Sequence, residues 1–423
     1  MTKRKRNDLS RIPSNDKVPF MKKRDYYLER DILRLSTVIF NIEKSIKEGY
    51  VLPEIIEIPL STETYEQVDK DKLKEDVEDL VAFVLFDKIN IKFVPFDDKK
   101  NRRKKDYSFE ESETICLFSG GVDSLSGILT AKSKFGKNVC GVFVAHNDQT
   151  WIISIVDRLI KNLKVTENLQ IDRVYAPPMG STGYSQLRGF LYCLCGGIYA
   201  KLKNSKRIII SECGPTMYQV HFSPFDTITM TTHPFVLKKA KEITENLLQR
   251  KLDFVLPFED LTKAEVVRIV PNPTVLPHTH SCISQRFGKN DGTCYGCITR
   301  RLGLLAANVV DAKYERNPLV DENANADHLL NLLRFSSDIL TDYEALPDYS
   351  KDNIERYGKF DLFQRFALDN FLGISKVPRK EQNPVLSRLL SDTLIHIEKS
   401  ELEERAYALS AVKIKPDFTK IVR

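Results

Sequence analysis

The residues most suited to chemistry are Ser119, Gly120, Gly121, Val122, Asp123 and Ser124, which follow the apolar run Ile115, Cys116, Leu117 and Phe118. Such a run ending in a small-residue loop predicts a strand, and Leu125 to Lys132 then reads as a helix. Two adjacent glycines let the backbone bend with N–H groups turned inward. The Ser119 and Ser124 hydroxyls and a helix N-terminus add donors, so the loop suits phosphate oxygens. The chain contains neither G-x-x-x-x-G-K-[ST] nor G-x-G-x-x-G, which excludes the Walker and dinucleotide loops. A second group, Cys282, Cys294 and Cys297, has the spacing C-x11-C-x2-C. Two thiolates at C-x2-C reach one face of a tetrahedron, which points to structural zinc; the competing reading is reduced cysteines packed in a loop. The missing fourth ligand could be Asp291, His280 or His278. Cys116, Cys140, Cys193, Cys195 and Cys213 sit in apolar contexts and read as small buried hydrophobes.

These groups need a scaffold, and the pattern after the loop alternates between strand and helix. Val139 to Ala145, Ile171 to Ala176 and Ile208 to Ser211 read as buried strands; Trp151 to Leu163 and Tyr184 to Leu202 read as helices. That order predicts an α/β fold, a doubly wound parallel sheet with ligands at the C-terminal ends of its strands. The loops there carry His146, Asn147 and Asp148, then Glu212, then Thr231, Thr232, His233 and Pro234. In FVLPFEDLTKAEVVRIV a strand ending precedes a helix whose N-cap would be Thr262, with Glu265 completing a capping box and Lys263 at the helix start.

Composition limits the class. A chain of 423 residues, 42% hydrophobic, has room for two or three domains. No run approaches the ~20 apolar residues of a membrane span, and MTKRKRND lacks the apolar stretch of a signal peptide, so a cytoplasmic protein is expected. The net charge of +6 comes wholly from residues 1–25, with nine basic and three acidic side chains. That tail reads as disordered, and no nucleic-acid partner is expected. Residues 26–106 read as an N-terminal accessory region with helices at Arg30 to Lys47 and Lys72 to Phe86 and strands at IIEIPL and Ile89 to Phe96. The charged run Asp97 to Asp106 reads as a linker, 107–315 as the α/β domain with its cysteine cluster, and 316–423 as a helical region.

Taken together, the motifs resemble a known family. S-G-G-V-D-S at Ser119 to Ser124 is similar to the PP-loop of the N-type ATP pyrophosphatases, whose fold is the adenine nucleotide α-hydrolase type. With Arg188 before a long helix, L-T-K-A-E at Leu261 to Glu265, and S-C…G-x-C-x-x-C-x-x-R-R from Ser281 to Arg301, the chain resembles 7-cyano-7-deazaguanine synthases over residues 113 to 310. In that family a further Cys ordinarily stands where this chain has Asp291, giving Cys282, Asp291, Cys294 and Cys297 as the implied zinc set. The Glu-containing turn Ser211 to Gly214, the T-T-H-P at Thr231 to Pro234 and the long added ends are similar to the family's anti-phage relatives.

The resemblance implies chemistry. A carboxylate on a deazaguanine attacks the α-phosphate of ATP, pyrophosphate leaves, and a nitrogen nucleophile displaces AMP. The loop residues Ser119 to Ser124 with Mg²⁺ would hold the leaving diphosphate, and Lys263 would make a second phosphate contact. Asp123 would brace the loop or reach Mg²⁺, and Arg188 would contact nucleotide or substrate carboxylate. Glu212 would accept from the N1–H and 2-amino group of a guanine-like ring, and His233 would position substrate or act as a base near pH 7. In the anti-phage branch the acceptor is a partner protein; in the biosynthetic branch the product is the free nitrile. A homodimer fits either. A tRNA thiolase would need a cysteine pair where this chain has Cys213 alone, and a non-catalytic nucleotide-binding scaffold is the reading from outside enzymology.

Overall fold

The computed structural model describes residues 27–97, 111–136, 138–146, 150–176, 186–218, 230–282, 290–387, 399–411 and 414–422. The basic tail 1–25, most of the linker, Asn147, Asp148 and Tyr184 lie outside them. In the N-terminal region, α1 (Tyr27–Lys47), β1 (Ile56–Ser61), α2 (Thr62–Gln67), α3 (Lys70–Leu85) and β2 (Ile91–Phe96) follow one another. β1 and β2 form a two-stranded parallel sheet, Ile56 opposite Ile91. Alternate residues Ile56, Ile58 and Leu60 turn to the core, as a half-buried strand requires.

The main sheet is built from β3 (Thr114–Leu117), β4 (Val139–His146), β5 (Gln170–Ala176), β6 (Arg207–Ile209) and β7 (Asp253–Val255). The intervening helices are α4 (Val122–Phe135), α5 (Thr150–Thr166), α6 (Arg188–Leu202), α7 (Gly214–Met217) and α8 (Pro234–Leu248). Every pairing in the sheet is parallel and its order is β5-β4-β3-β6-β7. Successive residues go to opposite faces and into separate cores. Ile115, Val142, Ile208 and Phe254 join one cluster with α1, α3, α6 and α8; Cys116, Phe143, Ile209 and Val255 join another with α4 and α5. Both faces are therefore buried, which is why these strands read as unbroken apolar runs, and the α/β fold with a parallel sheet is the expected one.

The chain builds outward from β3 in one direction through β4 and β5, then returns to add β6 and β7 on the other side. In an open α/β sheet that reversal leaves a crevice at the C-terminal ends of the two strands flanking it. Here those strands are β3 and β6, and they are followed by Ser119 to Ser124 and by Ser211 to Cys213 respectively.

Beyond the sheet come α9 (Lys263–Arg268), a 3-10 helix (Pro273–His278) and α10 (Tyr295–Ala306), then α11 (Asp327–Thr341), α12 (Asp348–Arg356), α13 (Phe360–Ser375) and α14 (Lys399–Ala411). The C-terminal helices share a core with Ile298 and Leu302 of α10, so their apolar stripes meet the α/β region. The last described residues return to the sheet: Val422 N–H donates to Phe254 at 2.9 Å and Ile421 forms an antiparallel bridge to Val255. Among the described residues no helix is long and apolar enough to cross a membrane.

Candidate functional site

Gly120 has φ +83°, and a Cβ there would lie 2.7 Å from Val156 Cγ2 of α5, so both conformation and space call for glycine. Gly121 is the N-cap of α4 and supplies no capping side chain, which leaves the N–H groups of the first turn without a side-chain acceptor. The hydroxyls brace the bend: Ser124 Oγ accepts from Ser119 N–H at 3.1 Å and donates to the Gly121 carbonyl at 3.1 Å. The helix starts at Val122, three residues earlier than its apolar pattern suggests, because Gly121 ends the bend.

Asp123, only 6% exposed, sits in that first turn. Its Oδ2 pairs with the Lys263 ammonium and accepts from Cys213 N–H at 3.4 Å, while its Oδ1 is buried with no hydrogen-bond partner among the described residues. Lys263 opens α9, whose start is the expected capping box: Thr262 Oγ1 accepts from Glu265 N–H, and the Glu265 carboxylate accepts from Thr262 N–H. Burial alone would lower the Lys263 pKa, but the Asp123 carboxylate outweighs it and holds the ammonium charged. The lysine stem runs against Gly303 of α10, where a Cβ would come within 2.6 Å of Lys263 Cγ.

Glu212 follows β6, and its carboxylate lies with those of Asp123 and the Cys213 thiol within 4.8 Å of one another. Burial, then the Asp123 charge, pushes Glu212 up to about 8, against the opposing pull of Lys263 and Arg188. The free carboxyl therefore keeps its proton at neutral pH. Ser211 Oγ is buried without a partner among the described residues, and Gly127 of α4 makes room for it: a Cβ there would fall 1.8 Å from that oxygen. Arg188 opens α6, and its Nε too is buried with no partner among the described residues. A Cβ on its neighbour Gly189 would be 1.9 Å from the Thr231 carbonyl oxygen, so the T-T-H-P turn runs against this helix start. Thr232 Oγ1, in that turn, is another buried polar atom without a partner among the described residues.

His233 differs from the sequence expectation. It is the N-cap of α8, Nδ1 accepting from Phe235 N–H at 3.2 Å, with its ring 4.9 Å from that of Phe83 in α3 and 5.5 Å from Tyr357. Burial, then the Arg356 charge, lowers its pKa to about 4, so it is neutral at pH 7 and not a base titrating there. The structure brings together Ser119 to Ser124, Lys263 and Glu212, with Arg188 close enough to act on Glu212 by charge; His233 belongs to the seam between α3, α8 and α12.

The cysteines form a second cluster, with one ligand atom each from Cys282, Asp291, Cys294 and Cys297 within 4.8 Å of one another. Three thiols and a carboxylate are a donor set that fits zinc. Asp291, not His278 or His280, is the fourth member. His278 is exposed, whereas Asp291 Oδ1 is fixed by Thr293 N–H at 2.9 Å and Cys294 N–H at 3.2 Å. Gly292 has φ +91° and lies against the Arg316 carbonyl, which lets the turn close. The thiol of Cys282 is pushed up to about 12 by its hydrogen bond with Cys294, with burial adding to it; bound metal would reverse that. The segment entering the cluster touches the first site, since His280 N–H donates to the Gly120 carbonyl at 2.9 Å. Arg300 of α10 ties the same segment down through the Thr279 and Leu276 carbonyls at 2.6 and 3.0 Å.

The sequence does not point to Gly303 or Gly127. Their signal is a close approach between elements far apart in the chain, which no local pattern records. A scan against protein-family models and a search of curated proteins returned no match to this chain.

Proposed function

We propose that the chain is an ATP-dependent carbon–nitrogen ligase of the 7-cyano-7-deazaguanine synthase type, with a PP-loop fold. It adenylates a 7-carboxy-7-deazaguanine-type carboxylate and passes the acyl group to a nitrogen nucleophile. In the anti-phage setting that its motifs resemble, the nucleophile belongs to a partner protein. The observation that carries the reading is the pairing of Lys263 with Asp123 directly beside a glycine bend at the reversal point of the sheet. A lysine kept charged next to a row of inward N–H donors is the arrangement that stabilises a departing diphosphate.

The residues divide the work. Backbone N–H groups of Gly121, Val122 and Asp123 and the Ser119 and Ser124 hydroxyls receive the β- and γ-phosphate oxygens. As the substrate carboxylate oxygen bonds to the α-phosphorus and the bond to the β-phosphate oxygen breaks, negative charge grows on the leaving group and Lys263 meets it. Magnesium, which neutralises phosphate charge, would be held by Asp123 Oδ1, buried and without a hydrogen-bond partner among the described residues. Arg188 offers its Nε, which has no partner among the described residues, to the substrate carboxylate. Glu212, once a bound base presents two N–H donors, releases its proton and accepts them. Cys213, buried and pushed up to about 12, is a poor thiolate, which disfavours a thiolase. Zinc on the cysteine cluster would fix the strand of chain that holds Gly120 through His280.

The test is pyrophosphate release from ATP with 7-carboxy-7-deazaguanine, alone, with ammonia and with candidate partner proteins. Release that depends on the deazaguanine supports the ligase; no release under any condition overturns it.

A further inference from the structure

α13 and α14 do more than cover apolar surface. Arg405 of α14, 6% exposed, donates through Nε to Asp369 Oδ1 of α13 at 2.7 Å. One terminal nitrogen of the same guanidinium donates to Asp369 Oδ2 and to Glu265 Oε1, each at 2.9 Å. Asp369 Oδ2 also accepts the Thr262 hydroxyl proton, and Arg365 of α13 reaches the Glu265 carboxylate. Thr262 and Glu265 are the two halves of the capping box of α9, and Lys263 is the first residue of the helix, directly after the cap. Two guanidinium groups and two carboxylates, all from three different helices, thus converge on the few atoms that set where Lys263 begins.

A helix of six residues cannot hold its own start, because nucleation costs more than so few hydrogen bonds return. Its register has to come from tertiary contacts. Thr262 gives its proton to Asp369, which leaves the hydroxyl oxygen free to accept from Glu265 N–H. Arg405 and Arg365 hold the Glu265 carboxylate where it accepts from Thr262 N–H. α13 also presses Leu362 to 2.4 Å of where a Gly214 Cβ would be, next to the turn that carries Glu212. We propose that Asp369 and Arg405 are positioning residues for Lys263, and that the C-terminal helices are thereby part of the phosphate site's machinery. The inference rests on the role given above to Lys263.

A double-mutant cycle on the full chain tests it, with affinity for inorganic pyrophosphate measured by calorimetry. Arg405→Met should weaken binding on the order of tenfold, the scale for a displaced contact, and by less than about twofold in a Lys263→Ala background. Arg405→Met with Asp369→Asn leaves no unpaired buried charge and should show the same dependence on Lys263 with a preserved fold. Equal penalties in both backgrounds would overturn the proposal and leave the network a structural one. If the unaltered chain binds neither pyrophosphate nor ATP, the ligase reading fails by itself. Amide exchange then decides the positioning claim: faster exchange at residues 263–268 of Arg405→Met, with α6 unchanged, upholds it, and an unchanged rate overturns it.

Discussion

Two clusters of metal-ligand residues lie within reach of one loop, and they are finished differently. Around the cysteines the Asp291 carboxylate is fixed by two backbone N–H groups, Gly292 closes the turn and Arg300 anchors the approach. Around Asp123 and Glu212, Asp123 Oδ1, Ser211 Oγ and Arg188 Nε are buried with no hydrogen-bond partner among the described residues. Each such atom costs about 1–3 kcal/mol, and a fold keeps them where a ligand supplies the partner. One cluster is completed by the protein, so its metal would serve structure. The other keeps polar atoms that the described protein groups do not satisfy.

The contrast yields graded predictions. Lys263→Ala should lower kcat for pyrophosphate release by on the order of 10²–10³, the scale for losing one preorganised charge contact, and should also lower the melting temperature because Asp123 is left buried without its ion-pair partner. Cys297→Ser should act through the metal instead. It should abolish zinc found by elemental analysis and cost roughly 3 kcal/mol of stability, the range for a lost structural metal. Zinc absent from the unaltered chain would contradict the structural half of the contrast. Gly120→Ala forces a side chain into a left-handed bend against Val156 and should cost about 1–2 kcal/mol, read as weaker ATP binding.

Glu212 gives a pH signature. Ligand binding that needs its carboxylate should strengthen as pH rises toward about 8 and level off above; Glu212→Gln should bind with no such slope. Stability runs the other way. The folded pKa is raised from 4.5, so the contribution of this group is fully present below pH 4.5 and is lost as pH rises through about 8. The smallest effect belongs to His233→Asn, since asparagine caps a helix as well: activity should stay within about twofold of the unaltered chain.

Much of this was readable because it is local. The strand, bend and helix at Ser119 to Ser124 are written in consecutive residues, and the capping box at Thr262 and Glu265 was found from spacing alone and is present as read. α8 was passed over. T-T-H-P drew attention as a loop, although Pro234 at N1, the His233 cap and the apolar residues Val236, Leu237, Ala240 and Ile243 were the signs of a helix. The aromatic surroundings of His233 are not legible either, since a sequence does not reveal which rings will enclose a histidine. Arg405 and Asp369 had no sequence signal at all. They lie more than a hundred residues from Thr262, and a charge on a helix stripe reads as solvent-facing until the partner helix is known.

The account turns on whether the glycine bend and its serines grip the diphosphate of ATP. The most direct measurement is calorimetric titration of magnesium–ATP into the full chain and into a Gly121→Val, Ser124→Ala variant of matched secondary structure. Saturable one-site binding that weakens at least about tenfold in the variant is the predicted result. No binding by the unaltered chain, or equal affinity in the two, would contradict it.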